Sequence, residues 1–238
     1  GMMIIAGAMR RSGVFQWLAI QSAKWTRGDP VKLMAVLLIL TAVASALLDN
    51  VTTVVLIGPI TIFLASRLKV SPVPFLIAEI LASNIGGMAT LIGDPPNLIV
   101  GSAAGFSFVD FLSNMLPISV ILMGLLLIYA RLVFRKSTIA QTEERLGLMR
   151  MDAAAAIVDP VLARRSVIVL VVTVLAFVLH GFVHLEPATI AVAGAAALMI
   201  WARLNPHESF EDVEWAGLLF FVGLFVVVGG LIEAGVIA

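Results

Sequence analysis

Two clusters of polar residues and helix breakers interrupt a chain that is otherwise strongly apolar, and each has the chemistry of an ion or solute site. The first is Ser45-Ala-Leu-Leu-Asp-Asn-Val-Thr-Thr, which carries Ser45, Asp49, Asn50 and Thr52. Asp49 or Asn50 suits the N-cap of a helix running from Val51 to Ser66, where a side-chain oxygen satisfies orphan N–H groups. A capped helix start is also a place where the aligned peptide dipoles favour a bound ion. The structural and functional readings of this cluster are therefore compatible. The second cluster, Ser83-Asn-Ile-Gly-Gly-Met-Ala-Thr-Leu-Ile-Gly-Asp-Pro-Pro-Asn, places Gly86 and Gly87 at the end of one half-helix and Gly93 and Asp94 before the next. Asp94 precedes Pro95, which loses no hydrogen bond at a first helical position. Asn84, Thr90 and Asn97 supply further donors and acceptors around this break.

Both clusters sit at membrane depth. Of the 238 residues, 61% are hydrophobic and 13% charged, and the mean hydropathy is +1.10, values foreign to a soluble domain. Spanning runs are predicted near Phe111 to Phe134, Val167 to Val183, Pro187 to Trp201 and Trp215 to Ile232, with two shorter runs at Leu33 to Leu48 and Val51 to Ser66. The shorter pair is read as a re-entrant hairpin over 33–66, followed by a broken helix over 73–104. In hydrocarbon an unwound backbone survives only where it is buried in protein or lines a cavity. Discontinuous helices meeting near the midplane are how secondary transporters hold substrates and coupling ions.

The fifteen Lys and Arg residues fall in the connections Arg10 to Lys32, Arg67 to Lys69, Arg131 to Arg165, and at Arg203. The connections near Asp110 and from His180 to Glu186 carry none. Whether the hairpin is re-entrant or crosses twice, all the basic residues share one face, which the positive-inside rule makes cytoplasmic. The stretch Arg11 to Lys32, with Trp17 and Trp25, reads as an interfacial helix, and 137–165 as a cytoplasmic linker with a short amphipathic helix.

Gly1, Gly7, Gly13 and Val14 align with Gly223, Gly229, Gly235 and Val236. An odd number of crossings separates the two segments, so the pair would run in opposite directions, as inverted repeats require. Two ordinary glycine-rich helices are the alternative. On the repeat reading, 1–136 belongs to a first repeat and 166–238 opens a second, with a chain start in mid-helix and a second hairpin and broken helix expected beyond it.

Glu79, in Phe75-Leu-Ile-Ala-Glu-Ile-Leu-Ala, should face the bundle interior, either as a hydrogen-bonded structural carboxyl or as a proton carrier. His180, His184 and Glu186 read as groups at the external water interface, and no metal site is expected there. With no Cys in the chain and neither a His within the membrane core nor a His-Glu-x-x-His motif, an intramembrane enzyme is disfavoured. Cofactors and nucleic acid are not expected.

These residues resemble the ion-transporter superfamily of arsenite permeases, NhaD-type sodium/proton antiporters, citrate and dicarboxylate transporters and the P protein, closest to the arsenite-permease and P-protein branch. The resemblance rests on Leu48-Asp-Asn-Val-Thr-Thr, Ile77-Ala-Glu, Asn84-Ile-Gly-Gly, Ala89-Thr, Ile92-Gly-Asp-Pro-Pro-Asn, His184-Leu-Glu-Pro-Ala and Leu219-Phe-Phe-Val-Gly-Leu-Phe. It implies an all-α membrane fold of two inverted repeats, each with a re-entrant hairpin and an interrupted helix, in a homodimer. It also implies that Ser45, Asp49, Asn50 and the loop from Gly86 to Asn97 fall on ion and substrate positions of the first repeat. Members are about four hundred residues long, so this chain reads as part of one.

Carboxylate-carrying members place Ser and Thr where this chain has Asp49 and Asp94. Those two charges favour a cation, proton exchange or a neutral hydroxide such as arsenite over a multivalent anion, with Na⁺ or H⁺ as the coupling ion. A citrate-like symporter and a non-transporting scaffold or channel remain the alternatives.

Overall fold

The computed structural model describes residues 1–48, 50–134, 142–149, 152–183 and 186–235, and among them every regular element is a helix. α1 (Met2–Ser12) and α2 (Val14–Trp25) are separated by Gly13, whose φ of 87° needs a residue without a Cβ. α3 (Pro30–Leu47) starts where Asp29 accepts from the N–H groups of Val31 and Lys32, with Pro30 at its first position. It turns into α4 (Asn50–Arg67) through a short link. α5 (Val73–Gly87) ends at the glycine pair, and α6 (Pro95–Ala104) starts at the proline pair, so the helix from 73 to 104 is interrupted over 88–94. α7 (Phe108–Phe134) then runs for 27 residues, a length of about 40 Å.

Beyond it come α8 (Thr142–Met149), a 3₁₀ turn at Ala154–Ala156, α9 (Pro160–Val183), α10 (Pro187–Ala202), α11 (Pro206–Glu211) and α12 (Trp215–Glu233). Several boundaries differ from the sequence reading. α9 begins at Pro160 because Asp159 accepts from the N–H groups of Val161 and Leu162, so helix replaces linker over 160–165. Arg164 and Arg165 interrupt the apolar run yet sit on the helix, where long basic side chains reach the interface while their stems stay apolar. α3 and α4 extend to 18 residues each, about 27 Å. Among the described residues, five helices are long and apolar enough to cross a membrane: α3, α4, α7, α9 and α12.

The core forms where α3 packs against α5 and where α1 packs against α9 and α10. On α3 the buried residues Leu33, Met34, Leu37, Leu38, Thr41 and Ser45 recur at intervals of three and four, a stripe facing inward. α12 has no buried residue, which suits a helix whose large apolar side chains face lipid. Contacts tie several of the described basic connections to one another. Arg10 and Arg11 pair with Asp212, Arg145 reaches Asp29 at 3.4 Å, Arg165 donates to the Trp201 carbonyl at 2.9 Å, and the N–H of Val158 donates to the Ser12 carbonyl. His184 and Val236 lie outside the described residues.

Candidate functional site: two helix breaks locked to each other

A broken helix leaves carbonyls without their usual partners four residues on, and such groups must be satisfied within the protein at membrane depth. Just past the end of α5 the N–H of Ala89 bonds to Gly86, not to Ile85. The hydroxyl of Ser119 on α7 takes over, donating to the Ile85 carbonyl at 2.5 Å. Asn97, in the first turn of α6, donates through its amide to the Gly87 carbonyl at 3.0 Å and the Thr90 carbonyl at 2.9 Å, spanning the break. Thr90 donates to the carbonyl of Ala46 at the end of α3 (2.5 Å) and accepts from the Gly93 N–H at 3.0 Å. The hairpin turn and the interrupted helix therefore complete each other's backbone hydrogen bonding.

Asn50 joins the two breaks. Its Oδ1 accepts from the Ser45 hydroxyl at 2.7 Å, and its Nδ2 donates to Asp94 Oδ2 at 3.0 Å, with Asn84 Oδ1 at 3.4 Å. The Ser45 hydroxyl has a second acceptor in the Ser83 carbonyl, also at 2.7 Å. α4 begins at Asn50, whose amide is engaged across the site. Asp49 lies outside the described residues.

Close approach makes this contact set geometrically attainable. A Cβ at Gly86 would overlap the backbone of Ala42 on α3; one at Gly87 would overlap Asn50 Oδ1 and lie 2.8 Å from the Gly93 carbonyl oxygen; one at Gly93 would overlap Gly87. Glycine at these positions lets α3, α5 and the break touch through their backbones. Ser45, Asn50, Asn84, Gly86, Gly87, Thr90, Gly93, Asp94 and Asn97 are thus brought together. Thr52 is half-buried and lines a cavity of about 240 Å³ with Met3, Gly7, Arg10 and the 211–214 turn.

The residues divide by what they touch. Thr90 and Asn97 hold backbone carbonyls, whereas Asn50, Asn84, Ser45 and Asp94 form a patch of oxygen and amide groups anchored by one carboxylate. Hard oxygen donors of this kind suit Na⁺, a proton or a hydroxylated neutral solute better than a soft metal. Ser119 and Thr41 escaped the sequence reading, and Thr53 stood in the first cluster with no role assigned to it. Ser119 was hidden in the long apolar α7, and Thr41 and Thr53 are fully buried with hydroxyls lacking a partner. Thr41 lies about one turn before Ser45 on α3 and Thr53 about one turn after Asn50 on α4, a helical spacing that was the available signal.

Comparison with known proteins identifies the family. Residues 1–238 match the family model described as citrate transporter. The chain is 44% identical over 237 residues to an uncharacterised transporter of Mycobacterium bovis, covering all of this chain and 55% of that protein. It is 33% identical over 241 residues to the magnetosome protein MamN of Magnetospirillum gryphiswaldense, covering all of this chain and 54% of MamN. With the P protein of Mus musculus it shares 30% identity over 303 aligned positions, which take in 97% of this chain and 36% of the mouse protein. The chain therefore spans about half the length of its bacterial relatives. A membrane-embedded all-helical architecture, an interrupted helix locked to a neighbouring hairpin, and a family match over the whole chain make it a member of the citrate transporter family of membrane transport proteins.

Proposed function

We propose that the chain is the substrate-binding half of a secondary active transporter, and that it moves a small inorganic cation or a neutral hydroxide, or exchanges Na⁺ for H⁺, at the junction of its two helix breaks. The observation that carries this reading is the Asn50 amide, which joins both breaks and donates to the Asp94 carboxylate. The helix starts near the junction favour an anion by about 0.3–1 kcal/mol each. Against that, a substrate carboxylate about 4 Å from the Asp94 carboxylate would cost about 4 kcal/mol at an effective dielectric constant near 20. Repulsion therefore outweighs the dipoles, and a tricarboxylate fits this chain's site less well than a cation or an uncharged solute, whatever other members of the family carry.

The orientation that accompanies this proposal is an inner-membrane protein with its basic connections in the cytoplasm. Its 33–66 hairpin would be re-entrant, and its working form would be a homodimer of inverted-repeat subunits. Flux is measured in proteoliposomes containing either the chain or a hybrid in which it replaces the matching half of the mycobacterial relative. Uptake of Na⁺ or arsenite that depends on a proton or sodium gradient, and is lost in Asn50→Ala, is the expected result. Gradient-driven citrate uptake without Na⁺ or arsenite movement would overturn the choice of solute.

A further inference from the structure

Glu79 lies outside the two breaks, and its surroundings are unlike those of any other carboxyl group in the described residues. It is 1% exposed, in the second turn of α5. One carboxyl oxygen, Oε1, accepts from the hydroxyl of Thr61 on α4 at 2.6 Å, and Thr61 is itself fully buried. The other oxygen, Oε2, is buried with no partner. The helices packed against α5 are α3, α4 and α7. Their charged groups are Lys32 in the first turn of α3, Arg67 at the end of α4, and Asp110 and Arg131 near the two ends of α7. Tyr129 is the further titratable group on α7. Arg67 is six residues beyond Thr61, about 9 Å along the axis. Structural pairing would place a basic group against Glu79. The structure places Thr61 against one oxygen and leaves the other bare.

We propose that Glu79 and Thr61 form a proton-binding site between α4 and α5, separate from the helix breaks, and that loading and unloading this site changes how α4 packs on α5. A carboxylate buried with one neutral hydrogen bond pays a desolvation cost that the Thr61 hydroxyl alone does not return. The packed arrangement therefore suits the carboxylic acid, with the proton on Oε2, the oxygen that Thr61 does not hold. Losing that proton requires water or a new donor at Oε2, which means separating α4 from α5. The consequence reaches the breaks mechanically. Ser83 follows Glu79 by one turn on α5, and its carbonyl is an acceptor for Ser45, while α4 opens with Asn50. Glu79 thus sits on both helices' shared seam one turn from the hub, and the inference stands whether or not the hub binds the solute.

Infrared spectroscopy and paired spin labels on the purified chain in lipid test this independently of transport. The C=O stretch of a buried carboxylic acid should disappear in Glu79→Gln, shift in Thr61→Val as its hydrogen bond is lost, move in ²H₂O, and fade reversibly as pH rises. The chain has no Cys, so labels at Phe63→Cys on α4 and Ile77→Cys on α5, both partly exposed, report the seam. Their distance distribution should change with pH in the wild type and stay at its low-pH form in Glu79→Gln. A Glu79 band that neither exchanges with ²H₂O nor titrates marks a sealed structural carboxyl and overturns the proposal. So does a label distance that follows pH identically in Glu79→Gln.

Discussion

If the Gly87 backbone and the Asn50 amide share one small space, mutating both should cost less than the two single changes added together. Asn50→Ala removes the amide that donates to Asp94 at 3.0 Å, while Ser45 keeps the Ser83 carbonyl as an acceptor, so the loss is close to one charge-assisted bond. Such bonds contribute about 1.5–3 kcal/mol in soluble proteins, and polar contacts between membrane helices reach about 1.7 kcal/mol, so about 1.5 kcal/mol is the working figure. Gly87→Ala puts a methyl group where Asn50 Oδ1 lies, expels the same amide, and incurs the same loss plus strain against the Gly93 carbonyl. In the double variant the bond is lost only once. The coupling energy should therefore be about 1.5 kcal/mol, measured from unfolding in mixed micelles by tryptophan fluorescence. Gly86→Ala is the control, because its Cβ meets the α3 backbone at Ala42, an obstacle that Asn50→Ala cannot relieve. If Gly87→Ala and Asn50→Ala add to within about 0.5 kcal/mol, the range for independent sites, then the two residues do not share the junction and the geometry argued for it is wrong.

Ser119→Ala should strip the Ile85 carbonyl of its donor and lower stability by about 1 kcal/mol or more; an unchanged midpoint in the same unfolding assay would show that water or another group serves that carbonyl. Flux measured against pH should flatten in Asp49→Asn and in Asp94→Asn, each of which keeps a side-chain oxygen at a helix start but removes the charge, and three superimposable profiles would reject a coupling role for both aspartates. Single cysteines at Ser107→Cys, in a connection without basic residues, and at Ala155→Cys, beside the basic ones, should react with impermeant reagent from opposite sides; labelling of both from one side contradicts the topology.

The sequence by itself determined that the chain is a bundle of apolar helices, where two of them break, and which residue types stand at the breaks. These are local properties: proline removes a donor, paired glycines end a helix, and Asp before Pro starts the next one. Local signals failed where a tertiary contact or a long side chain changed their meaning. Asp159-Pro160 is a helix start by the same rule, yet Arg164 and Arg165 made the segment look like linker until the structure placed both on α9, with Arg165 bonded to the Trp201 carbonyl. Asn50 was legible as a polar residue at a helix start, but not that its amide donates to Asp94, 44 residues away. Which freed carbonyl meets which hydroxyl was also undetermined: Thr90 to Ala46, Ser119 to Ile85 and Asn97 to Gly87 depend on α3, α5, α6 and α7 meeting at contact distances. Glu79 was legible as a membrane-buried acid, but only packing could show Thr61 on one of its oxygens and nothing on the other. Helix breaking is encoded residue by residue along the backbone, whereas hydrogen-bond pairing between breaks depends on the spacing of helices far apart in sequence, which Gly86, Gly87 and Gly93 permit without specifying the partner.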